Sequence, residues 1–241
     1  GNGIVSWNWK AGGTPSINTD GTITSLVSAN QAAGFSIVQW STSTTLATVG
    51  HGLSSAPELI IGKGINWSSS WPVYALPIGN TKKMSLNDTS IPSTSTIWGN
   101  TTPTATTFNQ DFTGTAGRTN IAYCFTSKPG FSKVGSYTGS GNTSGQMVNT
   151  GFEPAFLMIK ATGIAGTWAI YDNKRDPSNP RDTILQPNTS DADLTSSTFN
   201  LSFFANGFQF TGDNNDVNKV NEEYIYLAFA ADGSTATPSL A

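Results

Sequence analysis

The residues best able to do chemistry lie in one charged loop. Charged residues make up only 11% of the chain, yet they are concentrated between positions 172 and 182. Loops on rigid β scaffolds often carry function, so we predict that this loop contacts a ligand; the alternative is a solvated surface turn. The predicted contact residues are Asp172, Asn173, Lys174, Arg175 and Asp176.

The carboxylates and the histidine do not form a recognisable catalytic set. A glycosidase needs two facing carboxyl groups, one of them held protonated in an apolar setting. Asp172 and Asp176 could share a cleft, but neither has a counterpart in the first half of the chain. Polysaccharide hydrolysis is therefore the least favoured hypothesis. His51 is the only histidine and stands between glycines, which indicates a structural corner. We predict that the chain is not an enzyme.

A second polar segment offers a weak metal site. Asp213, Asn215 and Asp216 carry hard oxygen ligands of the kind that calcium takes. The spacing of an EF-hand fails, because Val217 stands where an oxygen is needed. Asx-rich turns cap their own backbone more often than they bind ions. We predict no cofactor and keep calcium at this segment as a weak alternative.

An internal duplication decides which elements position these residues. Four anchor residues recur in the second half of the chain at one shared offset, which indicates a tandem repeat. What recurs is what both halves need in order to fold, and recognition is expected where the halves differ. The anchor pairs are Pro57 and Pro154, Lys63 and Lys160, Trp71 and Trp168, and Tyr74 and Tyr171.

Two tryptophans stand outside this shared pattern. The chain has seven tryptophans, and sugar-binding sites stack aromatic faces on pyranose rings. Trp67 and Trp98 have no counterpart in the second half and lie among polar residues. We therefore predict that these two are exposed and available to a ligand, whereas the recurring aromatic residues are core.

Short apolar stretches separated by Gly, Pro and Asn turns predict the fold class. We expect an all-β chain, an antiparallel β-sandwich (jelly-roll-like) built from two tandem homologous repeats. Asn206-Gly207 between the apolar stretches 199–204 and 207–210 predicts a hairpin. The expected organisation is an N-terminal strand plus connector over 1–33, repeats over 34–128 and 129–233, and a tail over 234–241.

The first strand is predicted over positions 4–10, where bulky and polar side chains alternate. It aligns with 121–125 and 225–229, the closing strands of the two repeats. It would therefore be the last strand of a preceding repeat that this chain lacks. Either the chain was trimmed from a longer array, or the strand swaps into a neighbouring repeat or subunit. We expect the chain to be a piece of a longer protein.

The composition limits the classes of partner that the chain is expected to bind. The net charge is −3 with only 12 Lys and Arg residues, which argues against nucleic acid. No apolar run is long enough to span a membrane. Cys124 is the only cysteine, so no internal disulfide forms, and its apolar surroundings predict a buried thiol. Abundant hydroxyl and amide side chains are typical of extracellular β proteins.

A string of short motifs extends over nearly the whole chain. They are Trp7-Asn8-Trp9-Lys10-Ala11-Gly12-Gly13, Asn18-Thr19-Asp20-Gly21, Gly34-Phe35-Ser36-Ile37-Val38, Gly50-His51-Gly52-Leu53 with Ala56-Pro57-Glu58, Ala122-Tyr123-Cys124-Phe125, and Gly151-Phe152-Glu153-Pro154-Ala155-Phe156. Together these motifs resemble a module found in tail-fibre-like proteins of marine tailed phages. Where such modules often carry Ser-Asn-Gly-Phe, this chain has Ala205-Asn206-Gly207-Phe208.

The resemblance implies a virion structural or adhesion module and supplies no catalytic residues. Three hypotheses follow: a tail-fibre or surface-appendage module that binds a host-surface glycan or envelope component, a structural decoration or spacer without ligand, and a depolymerase. A homotrimer in contact with other virion proteins is expected by analogy alone. The expected location is the virion or the extracellular space.

Overall fold

The computed structural model describes residues 5–111, 117–142 and 144–231, and they form an almost entirely β structure. Every pairing between the strands named here is antiparallel. The first half contains β1 (Ser16–Asn18), β2 (Ser25–Asn30), β3 (Phe35–Ser41), β4 (Thr48–Gly50), β5 (Leu59–Gly64), β6 (Pro72–Ala75), β7 (Lys82–Ser85), β8 (Ser93–Thr94), β9 (Thr107–Asn109) and β10 (Thr119–Phe125).

The second half contains β11 (Ser132–Thr138), β12 (Val148–Asn149), β13 (Pro154–Ala161), β14 (Ala169–Asp172), β15 (Thr183–Ile184), β16 (Leu194–Thr195), β17 (Leu201–Phe204), β18 (Gly207–Phe210), the short helix α1 (Asn215–Asn218) and β19 (Glu223–Ala230). Turns of 3-10 helix occur at Leu76–Ile78 and Ser197–Phe199. The hairpin predicted at Asn206-Gly207 is confirmed, since β17 pairs with β18 and Phe204 lies opposite Gly207.

Two large sheets carry the fold. One has eight strands in the order β1-β2-β3-β10-β5-β6-β7-β8, and the other has four in the order β11-β19-β13-β14. Four neighbouring strands of the first sheet, β3-β10-β5-β6, correspond one by one to β11-β19-β13-β14 of the second. The repeated block predicts this correspondence, because it covers β5 and β6 in the first half and β13 and β14 in the second. The common origin of the halves and the domain boundaries stay predictions.

The two sheets pack face to face around a shared core that lies between them, hereafter the middle core. Side chains alternate between the faces of a strand, so Leu59 and Ile61 point into this middle core while Ile60 points to the outer side of the same sheet. The middle core takes Phe35 and Phe125 from the first half and Phe229 from the second. The all-β antiparallel sandwich is therefore confirmed.

Each sheet also buries its outer face. Behind the first sheet a cluster forms around Tyr74, Trp98 and Phe108. Behind the second a larger cluster includes Tyr171 and Phe208. All eight residues of β13 are buried as a result, and an apolar run without alternation is what such double burial requires.

The strand predicted over positions 4–10 is wrong for its described part. Residues 5–13 form an extended segment without ladder pairing, hereafter the strap, which lies along the seam between the two halves. Side chains hold it: the Asn30 amide donates to the Lys10 carbonyl at 3.1 Å. The strap cannot pair with β3, because β2 and β10 already occupy the two edges of that strand.

Trp9 anchors the strap in the middle core. Its ring lies 5.5–6.5 Å, centroid to centroid, from the rings of four phenylalanines that come from both halves. They are Phe35, Phe125, Phe156 and Phe229. The tryptophans that suggested a strand therefore pack against the core shared by the two sheets.

Candidate functional site

The charged loop begins where β14 ends, and its first residue organises it. The Asp172 carboxylate is buried and accepts the backbone N–H groups of Lys174 at 3.0 Å and Arg175 at 2.9 Å. It thereby satisfies the first two free donors of the turn that follows the strand, as a capping side chain does. Asp172 is therefore a structural element of the predicted contact loop.

Arg175 is fixed by three acceptors. Its Nε donates to Asp172 Oδ2 at 2.7 Å, Nη1 to Asp193 Oδ2 at 3.0 Å and Nη2 to the Ile170 carbonyl at 3.1 Å. Burial by itself raises the pKa of Asp172, but the hydrogen bonds and charge of Arg175 and the Lys174 N–H outweigh it, so that this pKa lies below its ordinary value. The carboxylate stays ionised.

Asp176 also serves the loop itself. Its Oδ2 accepts the backbone N–H groups of Asp182 at 2.8 Å and Thr183 at 3.3 Å, which ties the middle of the loop to its C-terminal end. Asn173 and Lys174 are different. Among the described residues, neither side chain makes a hydrogen bond or ion pair, so both remain available to a ligand.

These two side chains line a cleft of about 350 Å³ between the loop and the strap, hereafter the strap cleft. Trp7 and Asn8 of the strap form its other wall. The Trp7 indole N–H donates to Asp172 Oδ2 at 3.3 Å, and the Arg175 guanidinium carbon lies 6.0 Å from the Trp7 ring. The ring is thus held in place by the groups that order the loop.

Sequence reasoning missed the contribution of Trp7 and Asn8. It assigned both to a strand, although Trp7-Asn8-Trp9 has an aromatic–amide–aromatic pattern outside the repeated block. Only the folded chain shows that residues so far from position 172 share a cleft with it. The signal available in the sequence was the pattern itself, without any indication of its partner.

The two tryptophans that were predicted to be exposed differ in their burial in the structure. The prediction for Trp98 is wrong: its side chain is 1% exposed and packs edge-on against Tyr74 with 5.7 Å between centroids. Trp67 is half-buried; its indole N–H donates to Asn120 Oδ1 at 3.0 Å, and the Arg118 guanidinium carbon lies 4.5 Å from its ring. Neither residue lines the strap cleft.

The polar segment proposed for calcium caps its own backbone. Asn214 Oδ1 accepts the N–H of Asp216 at the start of α1. The Asp216 carboxylate turns toward Gly166 and accepts the N–H of Thr167, while burial raises its pKa. Within residues 5–111, 117–142 and 144–231, no three His, Cys, Asp or Glu side chains could hold a metal together. The structure thus favours an Asx turn over a cation loop at Asp213, Asn215 and Asp216.

The lone histidine and cysteine are structural, as predicted. His51 is buried; its Nδ1 accepts the Leu53 N–H at 3.1 Å and its Nε2 lies 3.2 Å from the Thr104 carbonyl, which identifies the neutral Nε2–H form. Burial lowers the pKa of His51. Cys124 is fully buried, and burial raises the pKa of its thiol to about 12.

Fold and cleft together define an all-β sandwich with a ligand-sized cleft between a capped loop and the strap. The chain belongs to a family described as a domain of unknown function (DUF7483), whose model matches residues 1–232. No curated protein and no solved structure matches it. In the described part of the chain, no helix is long and apolar enough to cross a membrane.

Proposed function

We propose that this chain is an adhesion module of a virion appendage, such as a phage tail fibre, and that it binds a host-surface glycan in the strap cleft. The observation that carries the proposal is the cleft itself. It places a fixed indole opposite two polar side chains that have no partner within the described structure.

The chemistry of the cleft suits a sugar. Amides both donate and accept hydrogen bonds, and an ammonium donates up to three, so Asn8, Asn173 and Lys174 can pair with hydroxyl groups. The Trp7 ring offers an apolar face next to them. A largely pre-formed site of a few hundred cubic ångströms with a small number of polar groups is the usual form of a small-ligand site.

The geometry of the loop does not favour the depolymerase hypothesis. A general acid of a glycosidase needs a carboxyl group whose pKa is raised. The pKa of Asp172 is shifted the other way, because the hydrogen bonds and charge of Arg175 outweigh the effect of burial. Asp176 is occupied by backbone donors of its own loop. Both carboxylates therefore support the shape of the cleft.

The virion setting rests on the resemblance to modules of tailed-phage fibre proteins and on the hydroxyl- and amide-rich surface of a sandwich with few charges. Partners in this proposal are a host glycan or another envelope component, other virion proteins and further copies of the chain, with a trimer expected by analogy.

Glycan binding by the purified protein tests the proposal. The wild-type chain is applied to an array of mono- and oligosaccharides and to host cells in an adsorption-blocking assay. Asn8→Ala combined with Lys174→Ala removes two exposed side chains of the cleft without touching the core, and Trp67→Ala is the control at a tryptophan outside it. We expect the double variant to lose binding and the control to keep it. Absence of both glycan binding and adsorption blocking would instead indicate a spacer module.

A further inference from the structure

A second pocket opens between the two sheets, hereafter the slot, with a volume of about 430 Å³. Trp7 and Trp9 of the strap form one wall, so the slot and the strap cleft are neighbours on either side of the strap. The first sheet contributes Ile61, Trp71 and Tyr123, and the second contributes residues such as Met158 and Leu227. The slot is an unfilled part of the middle core that reaches the surface.

The lining is chemically uniform. No charged side chain lines the slot, and Asn8 is its only side chain that is neither apolar nor aromatic. Trp71, Tyr123 and Leu86 are only half-buried, so the apolar surface is open to solvent at the mouth. A sugar would leave most of its hydroxyl groups without partners here, and an unpaired buried hydroxyl is unfavourable. The slot therefore suits a ligand of a different class from the strap cleft.

One uncompensated cation stands beside the slot. Lys63 Nζ lies 5.6 Å from the centroid of the Trp71 ring, where the Ser69 carbonyl accepts a hydrogen bond from it at 2.6 Å. No carboxylate among the described residues forms an ion pair with Lys63. The other cation near the lining, Arg175, is already neutralised by Asp172 and Asp193.

We propose that the slot binds a saturated acyl chain with an anionic head group, the chain lying between the sheets and the head group at Lys63. The volume falls within the range of about 300–1,000 Å³ that small-molecule pockets occupy. Sheets packed about 10 Å apart leave room for one layer of ligand atoms where core side chains do not meet. Charge complementarity places the carboxylate at the Lys63 ammonium, which lies beside the Trp71 ring of the lining and has no ion-pair partner among the described residues.

This proposal does not depend on glycan binding, because it involves a different ligand class and a cavity that shares only the strap residues 7–9 and Phe156 with the strap cleft. Dodecanoate and dodecan-1-ol, both below their aggregation concentrations, serve as matched probes that differ in head-group charge. Binding is followed by tryptophan fluorescence and by calorimetry on the full chain. We expect saturable binding of dodecanoate to the wild-type protein, with about tenfold weaker binding of dodecan-1-ol, since a charge-assisted hydrogen bond is lost.

Two variants locate the ligand. Lys63→Gln keeps a donor for the Ser69 carbonyl but removes the charge, so it should weaken dodecanoate binding about tenfold and leave dodecan-1-ol binding unchanged. Leu86→Trp fills the mouth of the slot and should abolish binding of both probes. Leu76→Trp, at a side chain that is 48% exposed and outside the slot, is its control.

Several outcomes would overturn the proposal. They are no saturable dodecanoate binding, undiminished binding by a folded Leu86→Trp variant, and equal losses for both probes in Lys63→Gln. If Leu86→Trp does not fold, Lys63→Gln decides alone. Glycan binding by the strap cleft is scored separately with Lys174→Ala alone, because Lys174 lines the strap cleft and not the slot, so that failure of either proposal is recognised without the other.

Discussion

Replacing Asp172 by Asn removes the negative charge that holds Arg175 in place. The pair is well shielded, since the Arg175 and Asp172 side chains are 12% and 6% exposed and their Nε–Oδ2 distance is 2.7 Å. Removing one partner of a buried ion pair costs about 3–5 kcal/mol when the remaining charge is left uncompensated, and here Arg175 keeps the more exposed Asp193 as a second carboxylate. The Asn oxygen still accepts the two backbone N–H groups of the turn. We therefore expect a loss near the lower end, about 3 kcal/mol of unfolding free energy.

Asp193→Asn is the matched control, because it removes the other carboxylate of the same guanidinium. The Asp193 side chain is 43% exposed, and an exposed ion pair contributes about 0–1 kcal/mol. Urea unfolding at pH 7 measures both variants against the wild-type protein. A loss below about 1 kcal/mol for Asp172→Asn, or equal losses for the two variants, would refute the role that we assign to Asp172.

The pH dependence of the unfolding free energy is a second test of the Asp172→Asn variant. The pKa of Asp172 in the folded protein lies below that of the unfolded chain, about 3.9, because the hydrogen bonds and charge of Arg175 outweigh the opposing effect of burial. The folded state therefore binds fewer protons in this window, and stability falls as the pH falls through the folded pKa. The stability gap between wild type and Asp172→Asn should be constant from pH 7 to about 5 and close at lower pH.

Two further predictions concern the seam between the halves. Trp9→Ala should lower the free energy of unfolding in urea by about 3 kcal/mol, the low end for a large aromatic residue. The reason is that the ring meets four phenylalanines but is only half-buried. A loss below about 1 kcal/mol would contradict this prediction. Lys160→Met should leave stability at pH 7 unchanged or raise it by about 1–2 kcal/mol, because Lys160 is fully buried and the Thr89 carbonyl keeps the N–H of Gly166. Burial lowers the pKa of Lys160, so the stability of the wild-type protein should rise with pH toward 10, and this slope should be absent from the variant. A loss of more than about 2 kcal/mol of unfolding free energy in Lys160→Met at pH 7 would contradict the prediction.

Much of the fold could be predicted because it depends on local patterns. Period-two alternation, Asn-Gly turns and the repeated block specify strands, a hairpin and two halves of similar strand order. The strap could not be predicted, because an extended segment and a paired strand have the same alternation. Pairing depends on whether a neighbouring edge is free, and β2 takes that edge beside β3.

The site was predicted only in part. Charge in an otherwise uncharged sequence drew attention to the loop at 172–182, and Asn173 and Lys174 of that loop line a cleft; that they contact a ligand stays a prediction. The sequence could not show that Asp172 and Asp176 serve the backbone of their own loop, because this use depends on turn geometry. Trp98 was misplaced for a similar reason: polar neighbours in sequence do not prevent a ring from filling the cluster behind the first sheet.

The central claim is that the strap cleft binds a glycan. Its most direct measurement is the affinity of the purified chain for array-selected oligosaccharides, compared with that of the Asn8→Ala, Lys174→Ala double variant. We expect saturable binding that falls at least about tenfold in the double variant, the loss expected for one or two hydrogen bonds, while the variant unfolds at the same urea concentration as the wild-type protein. Equal affinity of the two proteins, or no binding to any oligosaccharide, would contradict it.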